Sequence, residues 1–126
     1  MSPTARSKAW LDEHGYIPGL VERWIPQARK RIDLWGFVDL IAMPKMGTGE
    51  TKTVLVQTTS GLNNAWARAR KIENHLNTKN ALWCGYLIEV HAWRRLTPRG
   101  KRVTYQLRRL RASWLGAELK WIELDG

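Results

Sequence analysis

Asp39 is the residue that most invites a chemical reading. It interrupts Leu34–Met43 (LWGFVDLIAM), a run that is otherwise apolar, and a carboxylate buried there must be paired, hydrogen-bonded or metal-bound to be tolerated. The glycine-containing stretch Pro44–Thr51 reads as a hairpin turn, so the β-branched strand Thr53–Thr59 (TVLVQTT) returns antiparallel beside it. Gln57 and Thr59 alternate onto one face of that strand and come within range of Asp39. Oxygen ligands side by side on neighbouring strands make a platform for a hard divalent cation, Mg²⁺ or Mn²⁺, which otherwise keeps waters. The other reading makes Asp39 a buried carboxylate bonded to strand amides or to an arginine, with Gln57 and Thr59 as ordinary strand residues. Glu89 and His91, on one face of a later strand, are the only carboxylate–imidazole pair placed for acid–base work.

These residues must be held by a small set of elements. Residues 3–14 read as a helix stopped by Gly15, followed by an irregular entry through Pro18 and Gly19 into a strand ending near Pro26. Gln27–Asp33 is a polar, basic turn, and Leu34–Met43 and Thr53–Thr59 are the next two strands. The period then changes: Leu62, Trp66, Ala69, Ile72 or Glu73, and Leu76 mark the core stripe of an amphipathic helix over about 62–78. Gly85–Arg95 and Arg102–Arg111 alternate as strands, and the pattern of Trp114–Leu124 leaves its type open. A helix between the third and fourth strands implies a crossover, hence a single-domain α/β sandwich around a mixed sheet.

The stretch GFVDLIA, a turn, VLVQTTSG, and a helix bearing Arg68, Arg70 and Lys71 resemble the core of the PD-(D/E)xK nucleases, close to the Holliday-junction-resolvase-like and virus-type replication-repair branches. The resemblance implies a restriction-endonuclease-like αβββαβ core, a mixed β-sheet flanked by helices, over roughly residues 3–95. In that family an Asp on the second core strand and a Glu-x-Lys on the third hold Mg²⁺ and activate the attacking water. Asp39 matches the Asp position, Gln57 the Glu and Thr59 the Lys. Gln57 can still offer an oxygen without a charge, whereas Thr59 cannot supply an ammonium. Some members draw the missing groups from the next helix. Glu73 as a further metal ligand, and Lys71 or Lys52 as the cation, are the residues placed for that. The activity implied is metal-dependent, structure-selective DNA cleavage by a homodimer; the other outcome is a DNA-binding relative whose site has decayed.

Charge supports a polyanionic partner. The 126 residues carry 21 Lys+Arg against 11 Asp+Glu, a formal charge of +10. The basic residues come in groups, Arg29-Lys30-Arg31, Arg68/Arg70/Lys71, Arg94-Arg95, Arg99/Lys101/Arg102 and Arg108-Arg109/Arg111, as expected for contacts to DNA phosphates by backbone and shape. Trp35 and Trp66 read as core, whereas Trp24, Trp93, Trp114 and Trp121 alternate with charges and could stack on unpaired bases or form a dimer face. One cysteine, Cys84, and three histidines cannot build a disulfide or a paired Cys/His zinc site, and Cys84 reads as a small buried hydrophobe. Without a long apolar run or a leader-like N-terminus, the expectation is a cytoplasmic protein with no membrane partner.

Overall fold

The computed structural model describes residues 1–100, 102–115 and 117–125, so Lys101 of the basic groups lies outside the described residues. Helix α1 (Pro3–Glu13) starts where Ser2 accepts the Ala5 N–H at 3.1 Å and Pro3 presets the first turn. The strands that follow are β1 (Tyr16–Leu20), β2 (Arg23–Ile25), β3 (Lys30–Ile32), β4 (Leu40–Pro44) and β5 (Val54–Ser60). Helices α2 (Asn64–Glu73) and α3 (Leu76–Trp83) then precede β6 (Leu87–Leu96), β7 (Thr104–Leu115) and β8 (Glu118–Leu124). Among the described residues, six strands form one mixed sheet in the order β1-β4-β5-β6-β7-β8, in which β5 and β6 alone run parallel, while β2 and β3 make a separate hairpin. The fold is α/β, as expected.

Alternation along β5 divides the core. Val54 and Val56 face Leu11 of α1 together with Leu40 and Ala42. Leu55 faces the other way, onto Ala65, Ala69 and Ile72 of α2 with Ile88, Val90 and Leu110. Two helix layers therefore sandwich the sheet, and β5 lies in its middle. Among the described residues, no helix is long and apolar enough to cross a membrane.

Several local expectations are corrected. The first core strand is Tyr16–Leu20 rather than the stretch ending near Pro26; Pro18 is tolerated because β1 is an edge strand. Leu34–Met43 is not one strand: only β4 is regular, and residues 34–38 fold into a tight turn around Gly36. The expected helix over 62–78 is two helices, because α2 stops at Glu73 and the His75 side chain accepts the Asn77 N–H at 3.1 Å to start α3. Its buried stripe is Ala65, Ala69 and Ile72, so Trp66 is 38% and Leu76 89% exposed. Two alanines let α2 approach the sheet closely, which a bulky tryptophan would prevent. Trp35, expected in the core, is 42% exposed, and Cys84 is exposed rather than buried.

Candidate metal centre

Three carboxylates converge where β4 parts from β5. Asp39 donates its N–H to the Val56 carbonyl at 2.9 Å, and its Oδ2 accepts the Thr58 N–H at 2.8 Å and the Thr58 hydroxyl at 3.3 Å. Glu22 and Asp33 are the two feet of the β2–β3 hairpin: Glu22 immediately precedes β2, Asp33 immediately follows β3, and the pairing of Arg23 with Ile32 holds the feet together. A second, tighter turn brings Asp33 back to Asp39. Leu34 and Val38 exchange N–H···O bonds of 3.0 and 2.9 Å around Trp35 and Gly36, both at positive φ (54° and 86°), the backbone of a primed hairpin turn. A Cβ at Gly36 would collide with the ring of His75, so the turn is seated against the start of α3. The result is one oxygen each from Glu22, Asp33 and Asp39, all within 4.8 Å of one another.

The electrostatics of this cluster are those of a site short of positive charge. Asp39 is 5% exposed. Burial first, then a hydrogen bond with Asp33 and the charges of Asp33 and Glu22, raise its carboxyl from 3.8 to about 8, against the opposing pull of the Thr58 N–H. Carboxylates this close must share a proton or find a cation. Arg31 answers Glu22 with a 3.2 Å bond from Nη1 to Oε1. The cavity of about 250 Å³ over the cluster is bordered by Arg31, Arg68 and the start of α1, and Gln57 and Thr58 contribute to its wall. Gln57 is 3% exposed, and its Oε1 has no hydrogen-bond partner among the described residues. Three carboxylates, in a cavity whose wall includes a residue with an orphaned amide oxygen, fit a hard divalent cation such as Mg²⁺ or Mn²⁺ better than a soft metal, which would select sulfur or imidazole.

Asp39 and Gln57 are thus brought together, as their strand positions imply. Thr59 is buried one residue beyond the wall, and Thr58 is the neighbour that bonds Asp39. Glu73, Lys71 and Lys52 are not among the cavity-lining residues, and the carboxylates joining Asp39 are Glu22 and Asp33. Sequence reasoning missed both as members of this cluster. Their signal was the pair of acidic residues bracketing the basic stretch Arg23–Ile32. No family model, curated protein or solved structure matches this chain. The site therefore rests on its own geometry.

A second polar cluster has a different character. Ser7 Oγ lies 2.9 Å from His91 Nδ1, and His91 Nε2 lies 2.9 Å from Glu89 Oε1. The order imitates a hydrolytic triad, but Ser7, His91 and Glu89 are each no more than 1% exposed, and Ser7 Oγ also accepts the Trp93 Nε1–H at 2.8 Å. No substrate reaches that hydroxyl. Burial lowers the His91 pKa, against the pull of Glu89, with Nε2 facing the carboxylate and Nδ1 facing the Ser7 hydroxyl. Desolvation pushes the Glu89 carboxyl up, but its hydrogen bond and charge interaction with His91, with the charges of Arg109 and Arg111, outweigh it and hold the pKa at about 2. Arg111 meets Glu89 Oε2 through Nε at 2.9 Å and Nη2 at 2.5 Å, while Arg109 stands 3.8 Å from Oε1. This network ties α1 to β6 and β7 and takes Arg109 and Arg111 out of the expected phosphate-binding groups. Arg108 is likewise paired with Glu123. Arg29, Lys30, Arg70, Arg94 and Arg95 remain exposed, and Arg68 faces the cavity.

Proposed function

We propose that this chain is a divalent-metal-dependent DNA endonuclease of the PD-(D/E)xK type, with Asp39, Asp33 and Glu22 as carboxylate ligands and Gln57 as an amide ligand. The observation that carries this reading is the convergence of three carboxylates in a cavity bordered by two arginines and lined by Gln57, whose buried amide oxygen has no hydrogen-bond partner among the described residues. The restriction-endonuclease-like core is supported by the order of elements: a helix, an antiparallel meander β1-β4-β5, a helical crossover and a parallel strand β6. The chemistry a bound Mg²⁺ or Mn²⁺ supplies is polarisation of a phosphate oxygen and a more acidic water. The chain's own residues do the rest. Thr58 fixes the orientation of Asp39 through its N–H, Arg31 and Arg68 meet phosphate at the rim, and the exposed Arg29, Lys30, Arg70, Arg94 and Arg95 bind the backbone without reading bases. A homodimer in the cytoplasm suits a symmetric branched substrate.

One observation favours a second reading, a DNA-binding relative that no longer cuts: among the described residues no lysine lines the cavity, and arginine cannot give up a proton in its place. Supercoiled plasmid, flap and four-way-junction DNA incubated with Mg²⁺, Mn²⁺ or EDTA separate the two, with Asp39→Asn and Asp33→Asn as controls. Metal-dependent nicking lost in both variants supports the nuclease. Binding without nicking overturns it in favour of the second reading.

A further inference from the structure

The carboxylate cavity does not end at its carboxylates. A recess of about 460 Å³ adjoins it, and Ser2, Thr4, Glu22 and Arg31 line both. Beyond the shared wall the recess is lined by Lys8 of α1 and by Leu20 and Trp24. Trp24 is 53% exposed, although nothing about a two-stranded hairpin requires a tryptophan there. It stands opposite Arg31 in the β2–β3 register, so the two side chains share one face of the hairpin. Arg31 is therefore the hinge of the arrangement: on one side it binds Glu22 of the metal cluster at 3.2 Å, and on the other it neighbours an aromatic face.

We infer that this recess is a subsite for one unpaired nucleotide next to the phosphate held at the metal cluster, its base stacked on Trp24 and its backbone on Lys8 and Arg31. The inference rests on the nuclease reading for its phosphate and adds the class of substrate: DNA with a single-stranded, flapped or frayed nucleotide at the site. Three features select a nucleotide over an apolar occupant. An aromatic platform, two cations and a carboxylate rim stand together, and the first two are the elements of single-strand recognition. The recess shares the wall Ser2, Thr4, Glu22 and Arg31 with the cavity that would hold the phosphate. A base paired within a duplex would keep its face stacked on its neighbours and out of reach of Trp24. Because Glu22 and Asp33 are the feet of the same hairpin, the platform is carried by the ligands themselves.

The test uses the full chain with Ca²⁺ in place of Mg²⁺, a single-stranded oligonucleotide and a blunt duplex of the same sequence, and the variants Trp24→Ala and Trp24→Phe. The expected result is a loss of about tenfold or more in single-strand affinity for Trp24→Ala, within the range that stacking on one base provides. Trp24→Phe is expected within threefold of the parent, with duplex affinity unchanged in both. Equal single-strand affinity in Trp24→Ala, or an equal loss on single strand and duplex, overturns the inference. So does a change in oligomeric state without a change in DNA binding, which would assign Trp24 to a second copy of the chain. Cleavage measured in parallel keeps the two claims apart. Metal-dependent nicking with an indifferent Trp24 removes only the subsite, and selective single-strand loss in a chain that never nicks removes only the nuclease.

Discussion

Replacing Asp39 with asparagine should stabilise the metal-free protein, and the structure sets the size of the effect. The folded carboxyl holds its proton up to about pH 8, against an ordinary value of 3.8. Between those values the folded state binds more protons than the unfolded chain, so stability falls as pH rises through that window. Each pH unit costs about 1.4 kcal/mol, so the accumulated loss is on the order of 5 kcal/mol by pH 8, a large part of the 5–15 kcal/mol typical of a domain. The amide introduced by Asp39→Asn is neutral in both states. Its carbonyl oxygen can accept the Thr58 N–H, and its NH₂ group can donate to Asp33 in place of the shared proton. Urea unfolding in EDTA at pH 5, 6, 7 and 8 should therefore show a parent that loses stability stepwise and a variant that does not, with the gap widening to several kcal/mol. Parallel pH profiles, or a variant less stable than the parent at pH 8, would refute the argument that the cluster is short of positive charge.

The Glu89 network predicts the opposite pH sign. Its carboxyl is held at about 2, so its stabilisation is present above the ordinary value of 4.5 and is lost as pH falls from there toward 2; acid titration followed by circular dichroism should lose that transition in Glu89→Gln. At pH 7 the same variant leaves Arg109 and Arg111 without their counter-charge and should cost about 3 kcal/mol in urea unfolding. Ser7→Ala removes the partner of both His91 Nδ1 and Trp93 Nε1, at about 2 kcal/mol of stability. Nicking rates measured well below its unfolding midpoint should not change, and loss of nicking in a folded variant would revive the triad reading. Arg29 and Lys30 are exposed on the β2–β3 hairpin; replacing both with Ala should reduce the slope of log affinity against log salt by about 1.8 on duplex DNA if each meets one phosphate, measured by fluorescence anisotropy.

Asp39 was legible in the sequence because a lone carboxylate in an apolar run carries its own physical argument, and Gln57 followed from the alternation of the adjacent strand. The rest of the cluster was hidden by distance and by backbone. Glu22 and Asp33 are eleven positions apart, and only the Arg23–Ile32 pairing makes them neighbours. Asp33 reaches Asp39 through a turn that places Trp35, a bulky residue, at φ 54°, a conformation no propensity would assign to it. Hydropathy also favoured Trp66 over Ala65 for the core stripe, although close helix packing selects the smaller residue. The fold class was readable from the change of period after β5. The break between α2 and α3 was not, because it depends on a histidine acting as a helix cap.

Metal binding at the carboxylate cluster is the claim on which everything else stands, and isothermal titration of the full chain with Mn²⁺ at pH 7 tests it most directly. Saturable binding is expected that weakens at least tenfold in each of Asp33→Asn, Asp39→Asn and Glu22→Gln, with Glu73→Gln unchanged. Binding that is absent, or that is indifferent to all three substitutions, would contradict the account.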